Sequence, residues 1–213
     1  MNAGYHMTRM AVDPRRSIVW KALWRYYFRH RIAADDTVLD LGSGYGDFIN
    51  TVVAKRRIAV DIWPGLKNHV APDVEAVIAS VTDLSAIDDR SIDYAFASNL
   101  AEHLTKEELG TMLDQLKSKL KEGGMLGLLQ PNYRYAYREY FDDFTHVTIF
   151  SHISIADFLE ANGWKLLQIR PRFLPLSIKS RLPAIPFLIG LYLASPFKPL
   201  AKQMLVLACP ART

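Results

Sequence analysis

The sequence predicts one α/β domain over residues 1–213, built on a mostly parallel sheet with an antiparallel hairpin at one edge. Three observations predict it. Short apolar runs alternate with segments of helical spacing, the pattern of strands joined by right-handed crossovers. A glycine-rich turn, Gly42-Ser43-Gly44-Tyr45-Gly46, follows the first of those runs. The last two strand-like runs, 164–169 and 203–208, have no clear crossover helix between them and so read as an antiparallel pair.

The elements follow in order. Residues 17–31 read as a helix crowded by Ile18, Trp20, Leu23, Trp24, Tyr27 and Phe28, with Arg15, Arg16, Lys21, Arg25, Arg29 and Arg31 on its polar side. Such a helix either covers a core or lies on a membrane surface. Thr37-Val38-Leu39-Asp40-Leu41 is a buried strand, and the glycine turn leads from it to a helix at 47–57. Strands follow at 57–61, 75–80 and 91–98. Leu109, Met112, Leu113, Leu116 and Leu120 recur at helical spacing over 106–121. Thr105 and Glu108 have capping-box spacing before that helix, and Gly123-Gly124 offer a stop after it. A fifth strand covers 125–129. A polar, aromatic segment at 132–148 breaks the alternation. Ser154 and Asp157 point to one more capped helix, ending at Asn162-Gly163.

Composition narrows the function. The chain is 50% hydrophobic and 23% charged, with a net charge of +4, and it has no long basic run. No nucleic-acid partner is expected from so weak a charge signal. Cys209 is the lone cysteine, so no internal disulfide can form. No signal-peptide pattern opens the sequence, and a cytoplasmic protein is expected. The uncharged stretch 182–197 is short for a bilayer span and is broken by Pro183, Pro186 and Pro196.

A GxGxG turn between strand and helix lets backbone approach a ligand, because glycine removes the Cβ. It lacks the extra residue of the dinucleotide fingerprint GxGxxG. Asp61 ends the next strand, where a carboxylate can accept hydrogen bonds from ribose hydroxyls. With Val38-Leu39-Asp40-Leu41-Gly42-Ser43-Gly44-Tyr45-Gly46, Asp61, Thr82-Asp83-Leu84 and the Gly123-Gly124 strand entry in this order, the sequence resembles the class I S-adenosylmethionine-dependent methyltransferase family. The resemblance spans about residues 37–130. It implies a Rossmann-like seven-stranded sheet with S-adenosyl-L-methionine across the strand ends, and an N-terminal segment, 1–33, covering that side. It also implies residue roles. Gly42, Ser43, Gly44 and Gly46 approach the methionine portion, and Asp40 orients the loop or the ammonium group. Asp61, with Ile62 beside it, holds the ribose. Asp83 and Leu84 meet the adenine, with a simple turn cap on Ser85 as the alternative for Asp83. Asn99 and Ala101 line the methionine and sulfonium region.

Methyl transfer is an in-line displacement with a good neutral leaving group, so alignment and water exclusion dominate, and no metal is obligatory. A hydroxyl acceptor gains from a base. His146 is the first candidate, with Asp142 or Asp143 to orient its ring; His103, in Glu102-His103-Leu104, is the second. Each histidine has a structural alternative, packing and hydrogen-bonding its loop. Tyr133, Arg134, Tyr135, Tyr137 and Arg138 form either an acceptor wall or a solvated helix. Asp142-Asp143-Phe144-Thr145-His146 resembles bacterial members linked to sugar or surface-polysaccharide pathways, which implies O-methylation of a small molecule, a sugar or a lipid-linked glycan. The apolar insertion 174–202, flanked by Lys179, Arg181, Lys198 and Lys202, is expected either to meet an anionic membrane or lipid-linked substrate at the inner face of the membrane, or to pack on the sheet or a second subunit. Two other classes compete: a noncatalytic membrane-associated binder of the same cofactor, and a nicotinamide-dependent oxidoreductase.

Overall fold

The computed structural model describes residues 13–175 and 184–211. Seven strands form one sheet: β1 Thr37–Leu41, β2 Arg56–Asp61, β3 Glu75–Ile78, β4 Ile92–Ser98, β5 Leu120–Pro131, β6 Trp164–Pro175 and β7 Ala201–Pro210. Their spatial order is β3-β2-β1-β4-β5-β7-β6. The first five pair in parallel, whereas β7 runs antiparallel to both β5 and β6. This is the Rossmann-like sheet with an antiparallel edge pair that the alternation predicts. The helices are α1 Pro14–Tyr26, α2 Lys106–Lys119, α3 Tyr133–Ala136, α4 His152–Ala161 and α5 Pro186–Ala194.

Period-2 alternation divides the sheet into two apolar faces. Leu39, Leu41, Ile58, Val60, Ala95 and Ala97 point to one, where Leu109, Met112, Leu113 and Leu116 of α2 and Ile155 and Leu159 of α4 cover them. Val38, Ala59, Tyr94 and Phe96 point to the other, beneath Trp20 and Leu23 of α1 and Leu193 of α5. Trp20, Phe28, Phe48 and Phe96 pack ring to ring there, with Phe48 and Phe96 centroids 4.2 Å apart. Most of the apolar stripe of α1 is therefore spent on the core, while Ile18 stays exposed. The chain leaves α1 at Tyr26, five residues short of the predicted end, and continues as a 3-10 turn at Phe28–His30.

Three local expectations are corrected. No regular helix follows the glycine turn; residues 44–51 form hydrogen-bonded turns. The run Ile49, Thr51, Val52, Val53 is β-branched and poor in helix propensity. Its carbonyls at Ile49 and Val52 accept from the Arg57 guanidinium, while Asn50 is pinned to His69 and Ala71. Helix α2 starts on its capping box of Thr105 and Glu108 but stops at Lys119, before the glycines. Gly123 takes a left-handed φ of +82° inside β5, and a Cβ on Gly124 would sit 2.9 Å from the Ile92 carbonyl oxygen. Helix α4 is capped by Ser151 with Ser154, one turn earlier than Ser154 with Asp157.

The insertion is partly described. Lys179 and Arg181 lie outside the described residues. Helix α5 presses Gly190 onto Tyr26 of α1, where a Cβ would lie 2.9 Å from the ring. Phe187, Leu188 and Leu191 stay exposed. Lys198 donates to the carbonyls of Tyr192 and Leu193 at the end of α5, and Lys202 pairs with Glu139. Among the described residues, no helix is long and apolar enough to cross a membrane.

Candidate active site

The carboxyl ends of β1, β2 and β4 meet around the glycine turn. Gly42, Gly44 and Gly46 have φ of 66°, 54° and 69°, a region side chains avoid. The backbone N–H groups of Gly42 and Ser43 both donate to the Val60 carbonyl, folding the turn back on β2. Leu100, just after β4, packs under the turn: a Cβ on Gly42 would lie 2.8 Å from its Cδ1. Arg16 of α1 pairs with Asp47 at 2.7 Å, which brings the start of that helix to the same edge.

Asp61 is 4% exposed and accepts two backbone hydrogen bonds, from Gly44 N–H to Oδ2 and from Trp63 N–H to Oδ1, each 2.8 Å. It thus ties the glycine turn to the end of β2 while keeping further lone pairs on both oxygens. Ile62 beside it is exposed. Asp40 is buried, and its Oδ2 accepts from the Ser43 hydroxyl at 2.5 Å. Burial pushes its carboxyl up to about 7, against the opposing pull of the Ser43 hydrogen bond. Tyr45, Trp63 and His69 form an aromatic cluster beside Asp61, with Tyr45 5.1 Å from Trp63 and 4.7 Å from His69. Trp63 and His69 carry no motif in the sequence; an aromatic two positions after a strand-end acid is the one signal that points to this cluster.

Asp83 is exposed and accepts from the Ser85 N–H at 3.1 Å, the turn-capping alternative; this bonding with Ser85 holds its carboxyl below the usual range. Leu84 is 1% exposed, lies in the core and gives its N–H to Gln115. Nearer Asp61, the Ala79 N–H donates to the Asp61 carbonyl, and the Ser80 and Thr82 hydroxyls bond at 2.7 Å. Asn99 takes a φ of 50° after β4, and its Oδ1 accepts from Gln203 of β7 at 2.7 Å. Ala101 is buried beside it.

A second cluster lies where the turn after β4 meets the loop after β5. The Val147 and Thr148 N–H groups both donate to the Glu102 carbonyl, and the Thr148 hydroxyl donates to the Leu104 carbonyl. These bonds hold His103 and His146 with ring centroids 4.8 Å apart. His146 Nδ1 meets the Tyr140 carbonyl at 2.5 Å. His103 Nδ1 meets the Thr145 hydroxyl at 2.9 Å, and that hydroxyl donates to Asp143 Oδ1 at 2.6 Å. Asp143 therefore reaches His103 through Thr145, and it also interacts electrostatically with His146, the ring the sequence pairs it with. Asp142 is exposed. Burial, and secondarily the neighbouring His146, lowers the His103 pKa to about 4, which makes it a neutral imidazole at pH 7. Glu102, whose role the sequence did not single out, is 2% exposed, and burial pushes its carboxyl up to about 8. Tyr133 stacks edge-on to Tyr140 at 5.2 Å, whereas Arg134, Tyr137 and Arg138 face solvent. The segment is thus part wall and part solvated surface. Phe141, Phe144 and Val147 are exposed around the cluster.

A family model for the methyltransferase domain matches residues 19–169. No curated protein matches the chain. Among solved structures, a SAM-dependent methyltransferase from Archaeoglobus fulgidus superposes with a TM-score of 0.68 at 19% identity, over 97% of this chain and 99% of its own. An S-adenosylmethionine-dependent methyltransferase from Clostridium acetobutylicum gives 0.62 at 12% identity, over 98% and 96%. The geranyl diphosphate C-methyltransferase of Streptomyces coelicolor, solved with Mg2+, geranyl diphosphate and S-adenosyl-L-homocysteine, gives 0.61 at 14%, over 90% and 77%. Likeness at such identities is a likeness of fold.

Proposed function

This chain belongs to the methyltransferase domain family and is a class I S-adenosylmethionine-dependent methyltransferase, and on that premise we propose that it methylates an oxygen of a small molecule, a sugar or a lipid-linked glycan. Membership in the family speaks against the nicotinamide-dependent oxidoreductase; release of S-adenosylhomocysteine separates the enzyme from a noncatalytic binder of the same fold.

The observation that carries the cofactor site is the glycine turn tied to Asp61. Three left-handed glycines present backbone without side chains, and a buried carboxylate with lone pairs to spare ends the next strand. That donor and acceptor set fits S-adenosylmethionine. Asp61 would accept the ribose hydroxyls, and Asp40 would face the ammonium group. Asn99 and Ala101 would line the sulfonium side. Asp83, or the Ser80 and Thr82 hydroxyls beside Asp61, would meet the adenine. The cofactor supplies an electrophilic methyl carbon on a good neutral leaving group.

The acceptor belongs at the His103–His146 cluster, which follows directly from the chain that packs under Gly42. Nδ1 of His146 is held on the Tyr140 carbonyl, so Nε2 carries the lone pair that draws the acceptor proton. Thr145 and Asp143 fix His103 in the same way. The exposed Phe141, Phe144 and Val147 support an acceptor with an apolar portion, and the exposed face of α5 supports one presented at a membrane. Calorimetric titration with S-adenosylhomocysteine and with NAD tests the cofactor half: the first should bind and the second should not. Binding of NAD alone would overturn it. Release of S-adenosylhomocysteine across a panel of hydroxylated sugars and lipid-linked sugars tests the acceptor half.

A further inference from the structure

Glu102, His103 and His146 each offer one ligand atom, and those atoms all lie within 4.8 Å of one another. Two separate observations mark them as more than packing. Oε2 of Glu102 is buried and accepts no hydrogen bond from the described residues. A buried carboxylate oxygen left so is rare, because its desolvation goes uncompensated. Both imidazoles, moreover, have Nδ1 engaged from outside the cluster. His146 is held by the Tyr140 carbonyl and His103 by the Thr145–Asp143 pair. That is the arrangement in which outer groups fix ring orientation and tautomer so that Nε2 presents its lone pair to an ion.

We propose that Glu102, His103 and His146 form a binding site for one divalent transition-metal ion of the zinc type. Two imidazoles and one carboxylate suit zinc and its neighbours better than magnesium, which prefers an all-oxygen shell. In a tetrahedral zinc set, ligand atoms sit about 3.4 Å apart, so small rotations of the two partly exposed rings close the site. The carboxylate side is buried and the imidazole side is partly open, which leaves a position for an exogenous ligand. This deepens the reading of the cluster as the acceptor side. An acceptor hydroxyl at the open position loses its proton more readily: the O–H bond breaks, the electron pair stays on oxygen, and the proton passes to solvent. His146 then acts as a ligand rather than as the base.

The test uses the full chain without an affinity tag, stripped with chelator, and needs neither cofactor nor acceptor. Zn2+ is titrated by calorimetry and Co2+ by its visible absorption. One equivalent should bind, and excess Mg2+ should not displace it. Glu102→Gln and His146→Ala should each weaken binding at least about tenfold, while His152→Ala, outside the cluster, should not. Absence of stoichiometric binding, or equal binding by the first two variants, overturns the site. If Glu102→Gln fails to fold, His146→Ala and His103→Gln decide on the same criterion. S-adenosylhomocysteine binding, measured on the same chain without metal, reports separately on the cofactor reading.

Discussion

Asp61→Ala removes the acceptor for two backbone N–H groups, the buried one of Gly44 and the part-buried one of Trp63, each 2.8 Å away. A net contribution of about 1 kcal/mol per hydrogen bond gives a loss of ~2 kcal/mol in stability. For a chain of this length that lowers Tm by about 4–8 °C. Asp61→Asn keeps one acceptor oxygen but turns an amide toward the second N–H, so its loss should fall near half of that. Cofactor affinity adds a second readout. Removing the partner of buried hydroxyls costs about 1–3 kcal/mol, or roughly 5- to 150-fold in Kd. Differential scanning calorimetry measures the first effect, and titration with S-adenosylhomocysteine at a temperature where both proteins are folded measures the second. A folded Asp61→Ala protein with undiminished affinity removes Asp61 from the ribose site. One that also melts with the intact protein refutes the tie between the glycine turn and β2.

Three further outcomes are expected. The folded Asp40 carboxyl, near 7, lies above its ordinary 3.8, so the fold holds a proton that the unfolded chain releases. Its contribution is full below about pH 3.8 and is lost as pH rises to 7, by at most about 4 kcal/mol; urea melts of intact and Asp40→Asn protein at pH 5 and pH 8 should show that the variant has lost this part of the slope. With an acceptor in hand, His146→Ala should cut turnover by about 10²–10⁴-fold and leave S-adenosylhomocysteine affinity unchanged; normal turnover would make the ring structural. The intact protein should pellet with anionic liposomes at low salt, and a folded Leu188→Asp, Leu191→Asp variant should not; a protein that stays in the supernatant refutes membrane contact through α5.

What the sequence disclosed depends on range. Buried strands such as Thr37–Leu41 and Ile92–Ser98 carry their own signal, since both faces are covered and the run is apolar throughout. Helix α2 was legible because its cap and its stripe are both local. The turn after Gly46 was not, because Arg57 takes the Ile49 and Val52 carbonyls and the Asn50 side chain bonds the His69–Ala71 segment, leaving only isolated helical bonds such as Asn50 N–H to the Gly46 carbonyl. Asp83 takes a local partner in the Ser85 N–H two places on, a bond legible from spacing alone, and keeps its other oxygen for a ligand.

The same distinction separates the two halves of the site. The cofactor half is written in short segments at strand ends, and parallel pairing of β2, β1 and β4 brings those ends to one edge whatever the loops do. The acceptor half has no such guarantee. Glu102 and His146 meet because the Val147 and Thr148 N–H groups spend their hydrogen bonds on the Glu102 carbonyl, Thr148 adds a third to Leu104, and Thr145 bonds His103. Residues 137–150 hold no helix or strand longer than a 3-10 turn, so nothing periodic announces where their side chains go. A loop fixed by its carbonyl partners rather than by a pattern can change its acceptor contacts without disturbing the sheet. That freedom is why the sheet fixes the strand-end half of the proposed site, while the half proposed for the acceptor, at Glu102, His103 and His146, depends on the loop.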